Sequence, residues 1–245
     1  MIGRPSRIFI GFLLVSFLLP VFILAADDPV ARADELYRQR KDRAKVLAAV
    51  EILTEALEKE PGDYKALWRL ARCYWFLGDR SAGKERLAYF EKGKACAEKA
   101  TKANGAGIDG HYWHAALIGC VGQERGILNS LFMVPSMRRE LERCLELDPR
   151  HAEAHDVMAQ LLWKVPGFAG GNLKKALEEA RLATVYGPES IEHWLHYGQI
   201  AAAIKDYATA RMAFQKALSL PDDPEDPEGS RRDKALAKEE LEKIR

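Results

Sequence analysis

The sequence predicts an all-α solenoid of about five antiparallel helix pairs, closed by a C-terminal capping helix. Two observations carry this prediction. Small and large apolar side chains recur at an interval of 34 residues, and almost no segment alternates as a strand would. Hydrophobic residues make up 48% and charged residues 30% of the chain, so a packed core rather than disorder is expected.

The repeat is clearest near the C-terminus, where three residues of one predicted helix each precede a counterpart by 34 positions. The two sets are Ala176, Ala180 and Ala183, and then Ala210, Phe214 and Ala217. Gly198 lies on the helix before the one that carries Ala210, and a short turn around Asp206 joins these two helices. The small residues let paired helices approach closely, and the large ones fill the remaining gaps. This interval and pattern are typical of the tetratricopeptide (TPR) repeat.

Earlier pairs follow the same pattern with local insertions. The interval widens to 39 residues for Met137, Leu141 and Cys144, which the insertion at 165–172 explains. Pro61 closes a first unit, and the next pair is predicted at 66–79 and 84–103. The predicted organisation is a TPR-like repeat domain at 30–221, a linker at 222–230 and a polar capping helix at 231–245, because an exposed solenoid end needs a cover.

The N-terminal residues 1–26 read as a leader. Arg4 and Arg7 precede Ile8–Ala26, a run without any charged residue. This order predicts either a cleaved signal peptide or an uncleaved membrane anchor. Both alternatives place the remaining chain outside the cytoplasm, in the periplasm or an equivalent space, because the positive end stays inside.

Charge and cysteine content narrow the function classes. The formal net charge is +1, and it becomes +1 − 2 = −1 without the two arginines of the leader. This balance gives no electrostatic case for nucleic-acid binding.

Four cysteines would allow two disulfide bridges in an oxidising compartment, but each sits where a helix needs a small buried residue, which favours free thiols. They are Cys73, Cys96, Cys120 and Cys144.

Three departures from the plain repeat carry a family resemblance. They are the helix start Gly110–Trp113, the apolar link 121–135 that runs into the next helix, and the loop Pro166–Asn172. Over about 84–190 the chain resembles the T-component of tripartite ATP-independent periplasmic (TRAP) transporters and the TPR-like domain of the regulators of microtubule dynamics. The T-component resemblance implies a periplasmic helical bundle that forms an oligomer and meets a solute-binding protein.

The six histidines form three pairs, each near the start of a repeat's first helix. The pairs are His111 and His114, His151 and His155, and His193 and His196. Residues three or four apart share one helix face, and paired imidazoles can bind zinc or copper. A half-buried structural role is the favoured interpretation, because no His-Glu-x-x-His or Cys-x-x-Cys motif is present.

The sequence therefore predicts a non-catalytic, exported binding protein without a cofactor. No nucleophile motif or isolated acid pair stands out, and paired glutamates lie on solvated helical faces. The inner groove is expected to hold a partner protein or peptide, or a small apolar ligand under the 121–135 link. An oligomer is compatible with this prediction. The groove candidates are His111, Trp113, His114, His155, Trp194, Gly167, Gly170 and Gly171.

Overall fold

A computed structural model describes residues 28–244, which form eleven α-helices, one short 3-10 helix at Gly167–Ala169 and no strand. The predicted leader, 1–26, lies outside these residues, and none of the helices within them is long and apolar enough to span a bilayer. The helices are α1 Pro29–Arg38, α2 Arg43–Lys59, α3 Tyr64–Asp79, α4 Gly83–Ala103, α5 Ile108–Arg125, α6 Ile127–Leu147, α7 Ala152–Lys164, α8 Leu173–Tyr186, α9 Ile191–Ala203, α10 Tyr207–Ser219 and α11 Pro227–Lys243.

Each helix packs chiefly against its neighbour in sequence, which gives five pairs from α1/α2 to α9/α10. The first helices of successive pairs also touch one another, from α1 to α9, and α11 covers the last pair by packing on α9 and α10. The predicted solenoid of five pairs plus a cap is confirmed. The buried apolar residues form four clusters along the stack, and partly buried side chains such as Trp75 and Leu177 pack against two clusters each.

Side-chain caps set where the helices begin. Asp63 accepts hydrogen bonds from the backbone N–H groups of Lys65 and Ala66, so α3 starts at Tyr64, slightly before the predicted 66. Asp226 caps α11 in the same way, with Pro227 in its first turn. The capping helix therefore starts four residues before the predicted 231, because an Asp-Pro pair is a helix start and not only a linker signal.

Close approach within the pairs depends on two glycines in matching places. A Cβ atom on Gly78 of α3 would lie 2.5 Å from the Cε1 atom of Phe90 on α4. A Cβ atom on Gly198 of α9 would lie 2.4 Å from the same atom of Phe214 on α10. Both phenylalanines are fully buried. The glycine on the first helix thus makes room for a ring on the second, which is the small-and-large pattern that the sequence shows.

The 121–135 link is helical. α5 continues to Arg125, and α6 begins immediately after Gly126, whose φ of 90° turns the chain between them. Residues on one side of the first half of α6 face inward, whereas Leu128 and Phe132 are exposed. This half of α6 therefore packs on the stack and also contributes Leu131 and Val134 to the wall of a pocket.

All four cysteines are unbridged in the structure. Burial raises the pKa of the Cys73, Cys120 and Cys144 thiols to about 12, and that of Cys96 to about 11. A thiol with such a pKa stays protonated at neutral pH, so these side chains act as small apolar residues.

Candidate binding cavity

The stack encloses a central cavity of about 670 Å³. The first helices α3, α5, α7 and α9 supply most of its wall, and the first half of α6 lies across it. Six residues illustrate its mainly apolar surface: Phe90, Ala116, Leu131, Val134, Met137 and Leu161. A cavity of this size, lined by apolar groups with a few polar ones, is the usual form of a ligand site.

Most charged groups of the wall lie on α7 and α9, and α3 and α4 supply one more each. Asp156, only 4% exposed, faces the His196 ring, whose Nδ1 lies 3.0 Å from both carboxylate oxygens. Gln160 donates to Asp156 at 3.0 Å and accepts from the Lys164 ammonium at 2.9 Å. Glu192 faces the same region. The apolar cavity therefore has one charged end.

The pKa values at this end reflect burial and pairing. Burial disfavours the charged form of His196, but the Asp156 carboxylate outweighs it and raises the His196 pKa to about 9. The same pairing holds the Asp156 pKa below its usual value, against the effect of its own burial. Burial raises the pKa of Glu192, although its side chain keeps solvent contact. At neutral pH Asp156, which lines the cavity, thus forms a close ion pair with His196.

Three of these groups could share a cation. One ligand atom each of Asp156, Glu192 and His196 lies within 4.8 Å of the others. Among the six histidines only His196 belongs to this group, so the predicted pairs do not converge as pairs. The ion pair between Asp156 and His196 already gives these side chains partners, which a metal ion would have to replace.

The other histidines fix the turns between repeats. His111 places Nε2 3.1 Å from the Gly105 carbonyl oxygen, and His155 places Nε2 3.0 Å from that of Pro149. His193 reaches the Gly187 oxygen from Nδ1, at 3.2 Å. Each contact spans six residues, so the ring holds the preceding turn against the start of its helix.

Carboxylates on the following helices hold the opposite side of two of these rings. Nδ1 of His111 lies 2.6 Å from Glu140, and Nδ1 of His155 lies 2.6 Å from Glu179. Burial opposes charge on His155, but the Glu179 carboxylate raises its pKa. Burial also acts against the Glu140 carboxylate, yet His114 and His111 lower the Glu140 pKa to about 2. His111, His114 and His155 therefore link helices, whereas His193 also lines the cavity.

None of the eight predicted groove residues lines the cavity. Trp113 packs on Trp75, with ring centroids 5.5 Å apart, and Trp194 donates from Nε1 to the Pro188 oxygen at 2.9 Å. His114 lies beside Glu140. His111 and His155 are held as described above. The structure thus places these side chains against neighbouring helices and the turns that precede their own helices.

The three predicted loop glycines shape the turn beside the cavity. Gly170 has a φ of 96°, and its carbonyl oxygen accepts from the Arg138 guanidinium at 2.9 Å. A Cβ atom on Gly171 would lie 1.6 Å from the Val165 oxygen, so only glycine fits there. Gly167 begins the short 3-10 helix. Pro166, the residue before Gly167, lines the cavity.

The charged end of the cavity does not appear among the residues predicted from the sequence, although the sequence contains a pattern that indicates it. Asp156, Gln160 and Lys164 are spaced four apart, so they form one stripe along a helix whose other inward positions are apolar. Such a stripe on the inner helix of a solenoid predicts a polar patch in the groove. Glu192 could not be joined to it without knowing how α7 and α9 pack.

The architecture defines the class of the protein. It is similar to a thermophilic TPR protein from Thermus thermophilus, with a TM-score of 0.63, 16% identity, and coverage of 85% of this chain and 96% of that chain. It is also similar to MamA 41-end from Desulfovibrio magneticus RS-1, with a TM-score of 0.53, 19% identity, and coverage of 79% and 95%. The chain is a TPR-like α-solenoid.

Sequence comparison then gives the family. The family model for regulator of microtubule dynamics proteins 1–3 matches residues 30–245, so the chain belongs to this family. It is 26% identical over 173 residues to regulator of microtubule dynamics protein 2 of Mus musculus, and 27% identical over 138 residues to protein 1 of Bos taurus. These matches cover 69% and 56% of this chain, but only 40% and 42% of the relatives.

Proposed function

We propose that this chain is a non-catalytic binding module whose central cavity receives apolar groups of a partner protein or a small apolar ligand. The observation that carries the proposal is the cavity of about 670 Å³ with a mainly apolar wall and one charged end. Apolar surface gives such a site affinity, and the few polar groups orient what enters it.

The rim of the cavity supports a protein partner. Phe132 on α6 is 85% exposed and Phe168 in the loop after α7 is 88% exposed. Both lie beside residues that line the cavity, such as Leu131 and Pro166. Exposed aromatic side chains at the edge of a pocket are enriched at protein interfaces, so a partner would cover the rim while it fills the cavity.

Filling the cavity should abolish the binding of an apolar probe. Val157 lines the wall on α7, so Val157→Phe puts a ring into the space that a ligand needs. We expect the variant to bind an environment-sensitive naphthalene dye at least about tenfold more weakly than the native chain, a loss of about 1.4 kcal/mol. Fluorescence titration measures the effect.

The matched control is Val185→Phe, the same change at an exposed position outside the cavity wall. It should bind the dye as the native chain does, and circular dichroism should show both variants folded. Equal dye binding by native chain, control and cavity variant would contradict the proposal, because the dye would then bind elsewhere.

We also propose that the chain is exported, on the basis of Arg4, Arg7 and the uncharged run that follows. Native mass spectrometry of protein from the compartment where it accumulates should give a mass that lacks residues 1–26. A full-length mass would instead support the uncleaved anchor. The same spectrum reports an oligomer, as the T-component role requires, and any zinc or copper retained by Asp156, Glu192 and His196.

Microtubules are an alternative partner, which family membership alone favours. The relatives are named for microtubule dynamics, but this chain spans only about two fifths of their length. Sedimentation with polymerised tubulin separates the alternatives: a chain that stays in the supernatant does not bind microtubules by itself.

A further inference from the structure

The linker between α10 and α11 reaches across the molecule to the first two helix pairs. Asp223 lies 2.7 Å from the Arg40 guanidinium, and Glu225 contacts the other terminal nitrogen of the same group. Asp226 contacts Arg80 at the end of α3. These partners are up to 185 residues apart in sequence, so the linker ties the last part of the solenoid to the first.

A second pocket of about 530 Å³ lies where this linker meets the first pairs, and we call it the seam pocket. Its charged lining comes from two sources. The first pairs supply Arg38, Arg40, Arg69, Arg72 and Asp34, and the linker supplies Glu225 and Asp226. The formal balance is 4 − 1 − 2 = +1. Without the linker it would be +3, so the linker carboxylates neutralise most of an arginine cluster.

The arginines are held in place before any partner arrives. Asp34 binds Arg69 at 2.8 Å and Arg72 at 2.7 Å. The Arg72 guanidinium also stacks 3.9 Å from the centroid of the Tyr37 ring. Arg40 is only 15% exposed. A planar guanidinium fixed against an aromatic ring matches a carboxylate with two parallel donors and loses little entropy on binding it.

The linker itself is exchangeable. Its Asp223 and Glu225 side chains are 45% and 39% exposed, and ion pairs that open to solvent contribute little each. Residues 223–226 form a turn, closed by a hydrogen bond from the Asp226 N–H to the Asp223 carbonyl oxygen at 3.1 Å, and this turn brings both side chains to Arg40. The linker therefore shows that the pocket accepts carboxylates.

We propose that the seam pocket binds an Asp- and Glu-rich segment of a partner protein, and that residues 223–226 of this chain occupy it as a built-in competitor. A partner segment displaces Asp223 and Glu225 from Arg40 and opens the contact between the two ends of the solenoid. The seam pocket shares Trp75 with the wall of the central cavity, but Val157 lines the central cavity alone, so Val157→Phe should leave acidic-peptide binding unchanged.

The test uses the full chain and a fluorescein-labelled peptide that copies residues 221–228, PDDPEDPE. Fluorescence anisotropy at low ionic strength compares the native chain with the triple variant Asp223→Asn, Glu225→Gln and Asp226→Asn. These changes keep side-chain shape, and asparagine at 226 still caps α11. We expect the triple variant to bind the peptide at least about tenfold more tightly, because the competitor is weakened.

A matched variant removes the same number of negative charges from the linker and α11 without changing any residue that lines the seam pocket. It carries Asp222→Asn, Glu239→Gln and Glu240→Gln, whose acidic groups pair with Lys234 and Lys243 instead. This matched variant should bind the acidic peptide with the same affinity as the native chain. The neutral peptide PNNPQNPQ should bind to neither variant. Adding Arg40→Gln and Arg72→Gln to the first triple variant should remove the gain.

Two results would overturn the proposal. One is a triple variant that binds no more tightly than the matched variant, and the other is a gain that persists without Arg40 and Arg72. If circular dichroism shows that the triple variant does not fold, the native chain provides the test instead. The native chain should bind the acidic peptide more weakly than expected for the triple variant, and this binding must weaken as salt is added and must be lost in Arg40→Gln/Arg72→Gln.

Discussion

Replacing Asp156 with alanine is expected to destabilise the fold by about 3–5 kcal/mol. The carboxylate is 4% exposed and holds the His196 ring and the Gln160 amide. Removing it leaves a partly buried imidazolium and an amide without their main acceptor, and that loss exceeds the value of the contacts themselves. Urea unfolding at neutral pH, analysed by linear extrapolation, gives the change in free energy.

The control for this effect is Asp222→Ala. Asp222 also pairs with a cation, Lys234, but the pair is partly exposed, so its loss should cost no more than about 1 kcal/mol. If the two substitutions have the same small effect, water in the cavity solvates the Asp156–His196 pair and it contributes nothing to the fold. Asp156→Asn should fall between them, since the amide keeps the shape and part of the hydrogen bonding.

The same pair makes stability depend on pH in a defined direction. The His196 pKa rises from 6.5 to about 9 on folding, so its contribution is complete below about pH 6.5 and is lost as pH rises through about 9. The lowered pKa of Asp156 acts at the acidic end, where its contribution falls as the carboxylate is protonated. The free-energy difference between native chain and Asp156→Ala should therefore shrink from about pH 7 to pH 10.

Much of the fold could be predicted from the sequence because helix pairing is local. The 34-residue interval between Ala176 and Ala210 reports the same contact in consecutive repeats, and each pair is complete within about 40 residues. Helix starts follow from nearby polar caps such as Asp63. What the repeat pattern could not give is the path of the stack over five pairs, because small rotations between pairs accumulate.

The central cavity and the seam pocket both depend on the path of the whole stack. Asp156 and His196 are 40 residues apart and meet only because α7 and α9 lie side by side on the inner surface. Arg40 and Glu225 meet only because the whole stack brings its ends together. The histidines near helix starts show a related limit: periodicity places a residue on a helix face, but it does not say which neighbour covers that face.

Gly198→Ala is expected to destabilise the last pair by about 1–3 kcal/mol. The added Cβ would lie 2.4 Å from the Phe214 ring, which is fully buried and has no free space to enter. Alanine is the better helix former by about 1 kcal/mol, so a net loss can arise only from this clash. Urea unfolding again measures it, and Gly62→Ala, where nothing lies within 4 Å of the new atom, is the control.

A second substitution identifies the cause of that loss. Phe214→Leu removes the ring and should cost stability in the native background, because it leaves a cavity. In the Gly198→Ala background it should cost less, since the smaller side chain relieves the contact. The coupling energy from the double-mutant cycle is then at least about 0.5 kcal/mol. A coupling of zero would mean that α9 and α10 move apart without strain, and that the glycine is not what sets their spacing.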